Sequence, residues 1–181
     1  MKTIACTLLL CLAGLTTATA QNKATNKTLL RLLIYNEQKE LLMIKVPEGF
    51  WVTPALYHTN NQTVRHALDS LAGLYGLGIS APQLNGLFSL HIAGNGTTSL
   101  RHFFTATVNS GQPTLPQGIA ELQWMPVQKA IETLSFAHIA SALQQIHQHP
   151  NTIWGGSYRM YKEGGKPLSE QTEPFYPLMQ Q

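Results

Sequence analysis

The chain has 181 residues, a formal net charge of +3, and 12% charged against 44% hydrophobic residues. That length supports one domain with a full core, and so small a charge excess implies no nucleic-acid or anionic-membrane partner. Both cysteines, Cys6 and Cys11, fall within the first twenty residues, so the remainder can form no disulfide and offers no cysteine nucleophile or zinc thiolate.

Residues 1–20 begin with Lys2, continue as an apolar run and end in Ala18-Thr19-Ala20, an A-x-A-like cleavage site before Gln21. This pattern predicts a secretory signal peptide and a secreted or periplasmic protein. The apolar run is short for a membrane span, so no membrane association is expected after cleavage. Cys6 and Cys11 do not sit where a lipoprotein signal needs its cysteine. Residues 21–27 are polar and predict a disordered leader. The domain is expected over residues 28–181, with a core at 28–135 and a C-terminal extension at 136–181. Sequons at Asn26, Asn61 and Asn95 matter only in a eukaryotic secretory pathway.

Thr28–Tyr35 and Glu40–Val46 are apolar runs around Asn36-Glu37-Gln38-Lys39, the pattern of a hairpin. Gly49–Pro54 predicts a short strand carrying Phe50 and Trp51. From Gln62 to Tyr75, apolar residues at Val64, Ala67, Leu68, Leu71, Leu74 and Tyr75 give helical spacing, and Gly76 and Gly78 end the helix. Leu84–Ile92 and Leu100–Val108 predict two strands around a glycine-rich turn. After a proline-containing loop, Gly118–Trp124 predicts another strand, with Pro126 as the first residue of a short helix. Ser135 is positioned to cap a further helix bearing Phe136, Ile139, Leu143 and Ile146 and ending before Pro150. Ile153–Tyr161 and Pro174–Leu178, around the turn Glu163-Gly164-Gly165-Lys166, predict a C-terminal hairpin or arm.

The segment Phe50–Leu77 carries a family resemblance. Trp51 and Pro54 match a W-x-x-P strand end, while Ala55 and Leu56 replace the glycine pair that normally follows. Ala67, Leu71, Gly76 and Leu77 keep a helix-and-glycine frame. This resembles the Nudix box, G-x5-E-x7-R-E-U-x-E-E-x-G-U, where U is bulky and apolar. Glu121 and Trp124, spaced E-x-x-W before a short helix, recur in that family at the same place. The resemblance covers roughly residues 28–135 and implies a Nudix-like α/β/α sandwich with a mixed sheet, here with an added C-terminal helix and hairpin arm.

The catalytic part of the box is missing. Asp69 and Ser70 fall on its R-E pair, and Gly73 and Leu74 on its E-E pair. The segment between Pro54 and Ala67 is about one residue shorter than the usual box, and no register recovers a glutamate. Nudix enzymes use box glutamates to hold Mg2+ or Mn2+, and such hard cations need clustered oxygen ligands before they can neutralise phosphate and activate water. Between Glu48 and Glu121 the only acidic residue is Asp69, expected to be a solvated surface acid.

The resemblance therefore implies a Nudix-like domain that binds a small-molecule or protein ligand without catalysis and without a cofactor. The alternative is a hydrolase acting on a nucleoside-diphosphate-linked substrate, with Mg or Mn held by non-standard ligands and Glu121 as the candidate catalytic acid. The candidate ligand-binding residues are Trp51, Arg101, His102 and Trp124, because aromatic rings can stack on a base or sugar and arginine can pair with phosphate. The bland expectation is that both tryptophans are core and Arg101 is a surface charge. Many Nudix proteins dimerise, so a homodimer is compatible with the resemblance. Other chemistries find little support. There is no G-x-S-x-G elbow around Ser157; His138, His147 and His149 lack i, i+4 ligand spacing; and Gly94-Asn95-Gly96-Thr97 lacks the lysine and helix of a phosphate-binding loop. Nudix-like transcription regulators are disfavoured by the predicted export and by the little chain left for a DNA-binding domain.

Overall fold

The computed structural model describes residues 27–59, 61–94 and 96–180. The expected signal peptide and residues 21–26 of the expected leader lie outside these, and Lys27 opens the first strand. The elements in chain order are β1 (Lys27–Tyr35), β2 (Glu40–Lys45), β3 (Trp51–Val52), β4 (Ala55–Tyr57), α1 (Val64–Leu74), β5 (Leu77–Ile79), β6 (Gln83–Ile92), β7 (Thr97–Gly111), β8 (Glu121–Pro126), α2 (Val127–Thr133), α3 (Ala137–Gln148), β9 (Thr152–Glu163) and β10 (Lys166–Gln180).

The sheet runs β10-β9-β6-β7-β1-β2-β3, with β4 beside β1, β5 beside β7 and β8 beside β2. It is mixed: β1 pairs β7 in parallel and β6 pairs β9 in parallel, while the other pairings are antiparallel. Helix α1 covers one face through Ala67, Leu68, Leu71 and Ala72, which pack with Leu30, Leu32 and Ile34 of β1. The other face is covered by α2 and α3, whose Ala130, Ile139, Ala142, Leu143 and Ile146 pack with Leu33, Phe88, Leu90 and Phe103. Strand β1 is thus enclosed on both sides, which explains why its buried residues are apolar on both faces apart from Arg31.

The C-terminal segment is part of the sheet. Strand β9 pairs with β6 from Gly86↔Trp154 to Ile92↔Met160, and β10 folds back along β9 as the edge. Gly155 and Gly156 allow this closeness, because a Cβ at Gly155 would lie 2.6 Å from the Tyr176 ring. Edge β10 carries Pro167, Pro174 and Pro177 and three register shifts. Prolines and bulges discourage a further strand from pairing there.

Some boundaries differ from expectation. Pro126 closes β8 and stands before α2 with ψ 139°, not inside the helix, because its backbone is still extended opposite Glu40. Phe136, not Ser135, occupies the cap position of α3. The Ser135 hydroxyl instead accepts from the Trp51 N–H at 2.8 Å, and the Ser135 N–H donates to the Trp51 carbonyl at 3.0 Å. The serine thereby ties β3 to the α2–α3 junction. Strands β4 and β5, three residues each, were not anticipated.

Removing β9 and β10 by truncation after Pro150 would uncover Phe88, Leu90 and Ile139. Each large side chain lost from burial costs roughly 1.5–3 kcal/mol, and a whole domain has about 5–15 kcal/mol. The truncated chain is expected to be insoluble or to lack a cooperative melt by circular dichroism. A melt matching that of the intact protein would show that the hairpin is dispensable.

Candidate functional site

Alternation along the strands divides the candidate residues between the two faces. Trp51 and Arg101 lie on the α2–α3 face; His102 and Trp124 lie on the α1 face. Trp124 is half-buried against the α1-side core, and Trp51 is half-buried against the other. His102 lies 6.4 Å from the Phe104 ring; burial, and then nearby His58, lower its pKa from 6.5. The four residues do not converge on one site.

The box helix forms where expected. Thr63 caps it, its hydroxyl accepting from the His66 N–H at 3.2 Å. Its outer surface presents Ser70, Gly73 and Leu74 at the positions the resemblance assigns to box acids, all of them exposed. Asp69 is engaged with Arg65 at 2.6 Å, an exposed i, i+4 pair. Glu121, also exposed, is bound to Lys45 at 2.7 Å, and Lys45 lies 5.7 Å from the Trp51 ring centre. Among the described residues, no group of three or more His, Cys, Asp or Glu side chains could hold a metal.

A different cluster emerges on the α2–α3 face. Arg31, in the middle of β1, is only 6% exposed. Its Nη1 donates to the Thr53 carbonyl at 2.9 Å and to the Thr53 hydroxyl at 2.8 Å, and its guanidinium lies 5.7 Å from the Phe103 ring centre. Thr53 lies within the W-x-x-P segment, so the box entry holds this arginine in place. The register sets Arg31 beside Phe103 and Ala55, and sets Leu29 beside Arg101 and Tyr57. Arg31 and Arg101 are therefore diagonal neighbours on one face.

Arg101 is half-buried, its Nε is buried without a hydrogen-bond partner, and the Tyr57 phenol is within hydrogen-bonding reach of its side chain. From α3, buried His138 is hydrogen-bonded to Ser169 and faces Phe136 and Tyr158. Burial, then Arg101, lower the Arg31 pKa from 12.5 to about 9. Burial, then Arg31 and Arg101, lower that of His138 from 6.5 to about 3. The described ion pairs are Lys45–Glu121, Arg65–Asp69 and Arg159–Glu170, so neither clustered arginine has a carboxylate partner among the described residues. Sequence reasoning missed Arg31, and it read His138 as an exposed polar histidine, whereas the packing of α3 buries it. The available signal was an arginine within a run apolar on both faces, which must be buried to stay in register.

A pocket of about 300 Å³ elsewhere is lined by Tyr35, Gln83, Asn85, Thr105 and His147, among others. Its buried Asn85 already bonds Pro150 and Thr105, which leaves little unmet hydrogen-bonding capacity there.

Two predictions follow from the cluster. Thr53→Val keeps the shape but removes the hydroxyl acceptor of a buried cation, an interaction worth about 1.5–3 kcal/mol. Urea denaturation should show a loss of that order, and an unchanged midpoint would deny the contact its role. His138 has its folded pKa below its unfolded value, so the unfolded chain binds the extra proton between about pH 6.5 and pH 3. Its contribution is complete above pH 6.5 and declines as pH falls, with a slope of at most about 1.4 kcal/mol per pH unit. His138→Gln should flatten the urea-measured stability profile in that window; an unaltered profile would contradict the assignment.

No family model and no curated protein matches the chain. Solved structures do. A MutT mutator protein from Bacillus halodurans is similar with a TM-score of 0.68 at 17% identity, covering 82% of this chain and 99% of that one. A Nudix hydrolase from Nitrosomonas europaea is similar at 0.57 and 20% identity, covering 68% and 89%. An ADP-ribose pyrophosphatase from Streptococcus suis is similar at 0.52 and 12% identity, covering 76% and 100%. With its mixed sheet between α1 and the α2–α3 pair, this chain has the Nudix fold, a Nudix-like α/β domain.

Proposed function

We propose that this Nudix-like domain is exported and binds a ligand without hydrolysing it. The observation that carries the reading is the outer surface of α1. Ser70, Gly73 and Leu74 offer no carboxylate there, and Asp69 is neutralised by Arg65. A single paired aspartate cannot assemble the oxygen set that Mg2+ requires. Without the ion, no group on α1 is placed to lower the pKa of an attacking water. Export rests on Lys2, the apolar run and Ala18-Thr19-Ala20. The hydrolase alternative would rely on Glu121, whose carboxylate is tied to Lys45.

The purified domain is expected to release no phosphate from ADP-ribose, dinucleoside polyphosphates or nucleoside triphosphates in Mg2+ or Mn2+. Turnover abolished by EDTA would overturn the reading, and loss of that turnover in Glu121→Gln would establish the hydrolase alternative.

A further inference from the structure

We propose that Arg31 and Arg101 form the oxyanion subsite of this binding domain, taking a phosphoryl or carboxylate group of the ligand on the face between α3 and β4. The inference rests on the non-hydrolytic binding reading and gives its ligand a chemical class.

Three observations support it. First, Arg31 and Arg101 are diagonal neighbours on adjacent parallel strands and lie on the same face, and no carboxylate among the described residues pairs with either. Buried charges are ordinarily paired, because removing one partner leaves a large desolvation cost. Among the described residues, Arg31 has Thr53 and the Phe103 ring to offset that cost. Second, Arg101 leaves a buried Nε–H unused. A guanidinium with free donors presents the fork geometry that receives two oxygens of a phosphoryl or carboxylate group.

Third, the exposure is graded. Lys27 and Tyr57 are exposed, with Lys27 lying 5.8 Å from the Tyr57 ring centre. Arg101 is half-buried beneath them, and Arg31 and His138 are buried. The positive charge therefore grades from exposed Lys27 through half-buried Arg101 to buried Arg31, a field that draws an anion toward the pair. The repulsion that Arg101 exerts on Arg31 is relieved when an anion lies between them. His138, held by Ser169, remains neutral there and adds no charge.

The test is calorimetric titration of the protein, in EDTA, with inorganic pyrophosphate and separately with citrate. At least one should bind, and the stronger of the two identifies the ligand's anion as phosphoryl or carboxylate. Arg101→Gln, at a half-exposed position that should tolerate the change, is expected to weaken binding about tenfold or more. Arg159→Gln, at an exposed cation paired with Glu170, should leave it unchanged. Absence of binding by both anions, or equal binding by wild type and Arg101→Gln, overturns the subsite. EDTA excludes metal-bridged binding, so the outcome is separable from the hydrolysis assay. Metal-dependent turnover would defeat the non-hydrolytic reading alone, and anion indifference would defeat the subsite alone.

Discussion

A guanidinium enclosed within an apolar sheet is the constraint around which this domain is arranged. Arg31 sits between Leu30 and Leu32 on a strand covered by helices on both faces. It can remain there only because Thr53 supplies two acceptors and Phe103 supplies a ring face. That requirement fixes the segment after β3 against β1, so that β4 pairs with β1 from Leu29↔Tyr57 to Arg31↔Ala55. The same segment leads into α1, so the box helix and the buried cation are positioned together.

The two faces of the sheet have consequently taken different chemical characters. In the box resemblance, α1 is where carboxylates would gather a metal, yet here the box-acid positions are serine, glycine and leucine, and the helix's one aspartate is paired with Arg65. On the opposite face, where α3 packs, Arg31, Arg101 and His138 cluster without a carboxylate partner among the described residues, and the Glu121 carboxylate at the far edge is taken up by Lys45. A metal site and an arginine pair are two ways to receive an anion: the first can activate water for attack, whereas the second only holds.

Much of the fold was legible because its signals are local. The turn Asn36–Lys39 between apolar runs gives the β1–β2 hairpin, with Lys39 at φ 60°. The spacing of Ala67, Leu68 and Leu71 gives α1, and Gly76, at φ +72°, ends it. Strands β4 and β5 were not legible, since three residues carry no period and their pairing is decided by partners distant in sequence. Ser135 has a real preference for the cap role, but its hydroxyl and N–H are engaged by Trp51, and Phe136 stands at the cap instead. Of the site, Arg101 was visible as a basic residue in a strand. Arg31 and His138 were not, since only the assembled layers reveal that both are buried and that neither faces an acid.

The central claim, that α1 is a Nudix box helix with no metal function, is tested most directly by adding Mn2+ to isotope-labelled protein and following backbone amide signals. A bound paramagnetic ion broadens nearby resonances selectively. The account predicts only uniform, weak broadening, with Asp69 to Leu74 behaving like other exposed residues. Selective loss of the α1 signals at a low Mn2+ ratio would place a metal on that helix and contradict it.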